Sequence, residues 1–160
     1  MSDTQSSDET VTGSCLCKAV TYKATGTPMI KTICHCYNCR KASGGPMQGS
    51  SVYLKQQVAI TGDSALKTYS DPATDSATPF NRLFCTGCGS QMFGWSPLAE
   101  RMMGQQILAV NTGTLDREFV NAWTPTNEQY CETKGCWVPR LVGEEGMGRF
   151  KRSMMGDKAE

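Results

Sequence analysis

Apolar and polar positions alternate along most of the chain in short runs closed by glycine, proline or small polar residues, the pattern of brief β-strands. Residues 19–23, Ala19-Val20-Thr21-Tyr22-Lys23, carry β-branched and aromatic side chains at strand spacing and stop at Gly26-Thr27-Pro28. Residues 48–54, 58–61 and 66–69 predict three more strands, with Thr61-Gly62-Asp63 as a turn. Residues 81–84 and 91–95 flank Cys85-Thr86-Gly87-Cys88-Gly89 and predict a hairpin with a knuckle at its tip. Residues 105–111 predict another strand, and 120–123 and 128–131 the last ones. Only residues 37–42 carry a helical turn. Residues 71–79 are small, polar and proline-bounded, which predicts a surface loop.

The ends lack this patterning. Residues 1–12 are polar and charged, a disordered leader, and the fold is expected to begin near Gly13. Residues 143–160 mix glycine, methionine and scattered charge and read as a mobile tail. The reading is one mainly β domain over 13–142, since 160 residues leave no room for a second folded unit.

Charge and composition narrow the partners. Sixteen basic against fifteen acidic residues give a net charge of +1, so bulk electrostatics predict no nucleic-acid partner and favour a small molecule. The opening MSDTQSSDET has neither the basic start nor the apolar middle of a secretory signal, which predicts a cytoplasmic protein. No apolar run reaches the roughly 18 residues of a membrane-spanning helix, so no membrane partner is expected.

Nine cysteines change the picture most. In a reducing compartment they are metal ligands or reactive thiols before they are disulfides. Cys15 and Cys17 form C-x-C, Cys34, Cys36 and Cys39 form C-x-C-x-x-C, Cys85 and Cys88 form C-x-x-C, and Cys131 and Cys136 stand apart. Cys15, Cys17, Cys85 and Cys88 supply the four thiolates of a closed structural zinc site, which would staple residue 15 to residue 88. Glycines 87 and 89 suit backbone wrapped around a metal. The triplet Cys34, Cys36 and Cys39 has three ligands, and a zinc held by three protein ligands keeps a position open for water or substrate. The alternative is a second structural zinc completed by His35, Cys131 or Cys136. Because His35 lies between two ligands, its ring is expected to point away from their metal and to order the surroundings.

These residues carry a resemblance. Gly13-Ser14-Cys15-Leu16-Cys17 with Ala19-Val20-Thr21-Tyr22, then Cys34-His35-Cys36-Tyr37-Asn38-Cys39-Arg40-Lys41-Ala42-Ser43-Gly44, then Phe84-Cys85-Thr86-Gly87-Cys88-Gly89-Ser90, resemble the glutathione-dependent formaldehyde-activating enzyme family, also called the centromere protein V family. The resemblance continues through Asn111-Thr112-Gly113-Thr114-Leu115-Asp116 to about Trp137. It implies a small, zinc-stapled β-sheet fold with two zinc ions per chain. The structural ion would lie on Cys15, Cys17, Cys85 and Cys88 and the catalytic one on Cys34, Cys36 and Cys39. The implied activity is that of a carbon–sulfur lyase, S-(hydroxymethyl)glutathione synthase, joining glutathione to formaldehyde. Two other readings stand beside it: a zinc enzyme of the same fold acting on another metabolite, and a non-catalytic glutathione carrier or interaction module.

Other residues have a bland reading and a functional one. Lys18 stands where the resembled family usually has glycine, and solvated surface charge is expected of it. Arg40, Lys41 and Arg82 are candidate anchors for the carboxylates of glutathione, although solvated surface charge is the commoner fate. Cys131 and Cys136 are expected to be buried. Asp63, Glu128 and Glu132 are the available general bases. Phe80, Phe84, Phe93, Trp95, Trp123 and Trp137 are expected in the core or in a pocket wall.

Overall fold

The computed structural model describes residues 9–141 and 148–159. Residues 1–8 of the expected leader and 142–147 and 160 at the other end lie outside the described residues. The fold is mainly β. Eleven strands are present among the described residues, against three α-helices of one or two turns.

A three-stranded antiparallel sheet takes β1 (Thr10–Ser14), β2 (Thr21–Thr25) and β5 (Val58–Thr61) in that order. The first strand starts three residues before the expected boundary, because Thr10-Val11-Thr12 are β-branched and pair with Thr25, Ala24 and Lys23. The second runs two residues later than its pattern, since Ala19 and Val20 are taken up in closing the first cysteine loop: the Cys15 amide donates to the Val20 carbonyl at 2.9 Å.

The larger sheet has eight strands. They are β3 (Ile30–Cys34), β4 (Gln48–Leu54), β6 (Leu66–Asp71), β7 (Phe80–Cys85), β8 (Gln91–Trp95), β9 (Ile107–Asn111), β10 (Asn127–Gln129) and β11 (Gly148–Arg149). Their order is β11-β10-β3-β4-β9-β8-β7-β6. Only β10 pairs in parallel, with β3 on one side and β11 on the other.

The two sheets close on a core that includes Val20, Tyr22, Ala24, Tyr53, Val58, Met92, Phe93, Leu108 and Val110. Tyr22 of the small sheet meets Phe93 of the large one edge-on, ring centres 5.3 Å apart. The alternation of β2, with Tyr22 and Ala24 inward and Thr21, Lys23 and Thr25 outward, is the period-two pattern that forces this packing.

Helix α1 (Tyr37–Ser43) is the helical turn expected from the sequence. Helix α2 (Pro97–Met103) was not, yet Pro97 in its first turn and Gly104 at its left-handed C-cap, φ 65°, are ordinary start and stop signals. Residues 120–123, expected as strand, instead follow the short helix α3 (Arg117–Val120), closed by bonds from the Phe119 and Val120 amides to the Asp116 carbonyl. The tail reading is also corrected. Residues 148–149 form β11, and the amides of Tyr130, Cys131 and Glu132 donate to the carbonyls of Arg152, Phe150 and Lys151.

Candidate metal centres

The first cysteine cluster forms where the two sheets meet. Cys15 follows β1 of the small sheet, and Cys85 ends β7 of the large one. Sulfur–sulfur distances are 3.6 Å for Cys15–Cys17 and 3.7 Å for Cys17–Cys85, and all four sulfurs lie within 4.8 Å of one another. Zinc–sulfur bonds of about 2.3 Å in a tetrahedron set sulfurs about 3.8 Å apart, so this donor set fits a four-thiolate zinc. A side chain on Gly87 would begin 3.5 Å from the Cys17 sulfur, so the bare backbone cradles the cluster. Ser90 joins the two loops: its Oγ accepts from the Leu16 amide at 3.0 Å and lies 3.2 Å from Cys88 Sγ. Hydrogen bonds from Ser90 draw the Cys88 thiol down to about 5. Lys18 is solvent-exposed as expected, but its backbone is left-handed, φ 63°, a conformation that glycine adopts without strain.

The second cluster sits where β3 gives way to α1. Cys34 is the last residue of β3, Cys36 is the N-cap of α1, and Cys39 is on its first turn. The Cys36 sulfur accepts the Cys39 amide at 3.3 Å, so ligand spacing and helix capping share one geometry. The three sulfurs lie within 4.8 Å of one another and suit a thiophilic metal with a position left open. Three thiols this close cannot all ionise freely. Hydrogen bonds from Cys34 and then Cys39 bring Cys36 down to about 3. The same bonds hold Cys34 far above the ordinary thiol range. Cys39 is lowered by Cys34 but carried up to about 11 by Cys36 and by burial. A dication is what would let all three be thiolates together.

What surrounds the triplet was only partly legible. His35 is fully buried, and its Nε2 lies 2.9 Å from Oε1 of Glu128, which is equally buried. Among the described residues His35 joins no cluster of potential metal ligands, in keeping with its expected role. Glu128 also meets Lys134 Nζ at 3.4 Å and Arg149 Nε at 3.1 Å. Burial raises this carboxyl, but hydrogen bonds from His35 and Arg149 and the charge of Lys134 hold it below the usual range. Asp63 and Glu132, the other base candidates, are exposed.

Arg82 is no surface charge. It is 6% exposed, donates to Asp71 from Nε at 3.3 Å and Nη2 at 3.1 Å, and turns Nη1 toward Cys39 Sγ at 4.0 Å. Asp71 also accepts from Asn38 Nδ2 at 2.9 Å. In the sheet order β7 lies four strands from β3, about 19 Å at the usual spacing. The contacts of Arg82 with Cys39 and of Asp71 with Asn38 therefore tie α1, which follows β3, to the β6–β7 edge of the sheet. Of the other anchor candidates, Arg40 donates to the Thr133 carbonyl at 3.1 Å and Lys41 is exposed.

Among the described residues neither lone cysteine joins a cluster. Cys131 is half-buried with its thiol raised by burial, and Cys136 is exposed, which corrects the expectation of burial, as does Trp137 at 71% exposure for its expected place in the core. Sequence reasoning missed Tyr130, whose backbone is left-handed at φ 57°. Burial, with the negative charge of Asp75, Cys34 and Cys36, pushes its phenol up to about 12, so it remains a hydrogen-bond donor at neutral pH.

A cleft of about 510 Å³ opens beside the four-cysteine centre. Cys88 and Ser90 line it together with Ser43 of α1 and Gln48, the direct β3–β4 partner of Cys34, while Cys34, Cys36 and Cys39 do not. Its size is that of a small-molecule site, and among the described residues no acidic or basic side chain lines it.

A mainly β fold with two separate cysteine clusters, one of four sulfurs and one of three, defines a class of protein whose clusters could hold metal ions. A family model described as glutathione-dependent formaldehyde-activating enzyme matches residues 10–133, and the chain belongs to that family. No curated protein matches the chain. Among the described residues no helix is long and apolar enough to cross a membrane.

Proposed function

We propose that this chain is a cytoplasmic, zinc-dependent carbon–sulfur lyase working in the synthetic direction, adding the thiol of glutathione to formaldehyde to give S-(hydroxymethyl)glutathione. The observation that carries the reading is the contrast in ligand number. Cys15, Cys17, Cys85 and Cys88 make a closed set, whereas Cys34, Cys36 and Cys39 leave a fourth position for a substrate sulfur. Zinc held there would supply Lewis acidity and lower the pKa of a bound thiol.

The chain's own residues set up the rest. In the reaction the substrate thiol loses its proton, a sulfur–carbon bond forms, and the carbonyl π pair moves to oxygen, which takes up a proton to become the hydroxyl. The Arg82 guanidinium, fixed by Asp71 beside Cys39, offers positive charge where that oxygen gains electrons. Positioning of the two substrates beside these groups supplies much of the rate gain.

The uncharged lining favours a second reading, in which the same chemistry serves another metabolite with fewer carboxylates than glutathione. Assay of wild type beside Cys36→Ser separates the possibilities, because the second reading expects no turnover of glutathione and formaldehyde even by wild type. The expected result is a folded protein with one zinc per chain and no turnover of glutathione and formaldehyde; full activity in that variant would sink the proposal. Calorimetric binding of glutathione to the wild-type protein without turnover would identify a carrier instead.

A further inference from the structure

The family match ends at residue 133, yet the chain returns to the three-cysteine centre after it. Strand β11 adds to β10, and Arg149 on that strand reaches the buried Glu128 at 3.1 Å. Glu128 grips His35, the residue between Cys34 and Cys36, at 2.9 Å. The backbone of His35 is held on both sides as well: its amide donates to the Gln129 carbonyl at 3.1 Å, and its carbonyl accepts from Thr133 Oγ1 at 3.1 Å. Residues 128–133 therefore clamp the ligand loop, and residues 149–152 clamp residues 128–133 in turn.

Charge points the same way. Glu128 faces two cations, Lys134 and Arg149, so the carboxylate that holds His35 is itself held by charge. These contacts are buried, in surroundings that screen poorly.

We infer that Arg149 is a positioning residue of the three-cysteine centre: through Glu128 and His35 it holds the Cys34–Cys36 loop in its metal-binding shape. This rests on the reading of Cys34, Cys36 and Cys39 as a metal centre. Partners of this kind typically change metal affinity by about 10–100-fold.

Titration of the full-length apoprotein with Co²⁺ under reducing conditions, followed through thiolate-to-cobalt absorption, tests it. Cys36→Ser supplies the spectrum of the four-cysteine centre alone. Wild type is expected to take up two ions. Arg149→Met should weaken the three-cysteine centre by about 10–100-fold while the four-cysteine centre keeps its affinity. Arg149→Lys, which keeps the charge, should recover most of the loss. Unchanged affinity at the three-cysteine centre in Arg149→Met overturns the inference alone. Equal weakening at both centres, or a chain that no longer folds, also overturns it, because Arg149 would then serve general stability. Uptake of a single ion by wild type overturns both the inference and the metal-centre reading beneath it.

Discussion

Replacing Cys85 by serine tests the division of labour between the two centres. Cys85 is fully buried where the sheets meet, and its sulfur lies 3.7 Å from that of Cys17, 68 residues earlier. A metal joining these loops acts as a cross-link, and by loop-closure entropy a loop of that length is worth about 4 kcal/mol. Against a typical total of about 5–15 kcal/mol that is a large share. At about 2–4 °C per kcal/mol for a chain of this size, the loss corresponds to a fall in Tm of about 8–16 °C. Zinc-loaded wild type, Cys85→Ser and Cys36→Ser would be compared by thermal melts followed by far-UV circular dichroism, with zinc counted by atomic absorption. The expected order is wild type, then Cys36→Ser slightly below it, then Cys85→Ser far below. A Cys85→Ser protein that lacks one zinc yet melts within about 3 °C of wild type would refute the staple argument.

Two further outcomes follow from the local geometry. Lys18→Gly removes the left-handed strain at φ 63° and should stabilise the protein by up to about 1 kcal/mol in urea denaturation; a destabilisation would show that the lysine side chain makes a compensating contact. Glu128 has its carboxyl held below the unfolded value of about 4.3, so its contribution is present above that pH and is lost as pH falls through the lower folded value. The stability difference between wild type and Glu128→Gln should therefore shrink steadily below about pH 4.3 in urea titrations, and a difference that grows with acid would contradict the assignment.

The cysteine spacing was legible because metal ligands obey local rules, and residues 48–54 and 58–61 read correctly because their strands keep the period-two pattern of a half-buried sheet. The surroundings of the triplet were not. His35 and Glu128 are 93 residues apart, and nothing near either marks them as partners. Arg82 reads as an ordinary surface cation until the fold sets it against Cys39 of α1. Strand β11 has only two residues, too few to show a period, and is stabilised by pairing with β10 and by Arg149 rather than by its own pattern. Helix α2 carried a proline start and a glycine stop, signals that the strand-rich context overshadowed.

The two clusters differ in how far the chain must fold before they exist. Cys34, Cys36 and Cys39 lie within six consecutive residues, so an unfolded or nascent chain already offers them to a metal. Folding then tightens this hold through Glu128 and His35, but any binding to the unfolded chain reduces what the ion adds to stability. The four-sulfur centre exists only after the small sheet has met the large one. The triplet can therefore load during synthesis, while the four-sulfur centre loads as a checkpoint on completed folding, and metal scarcity would show first as chains that hold the ion of the triplet yet fail to close.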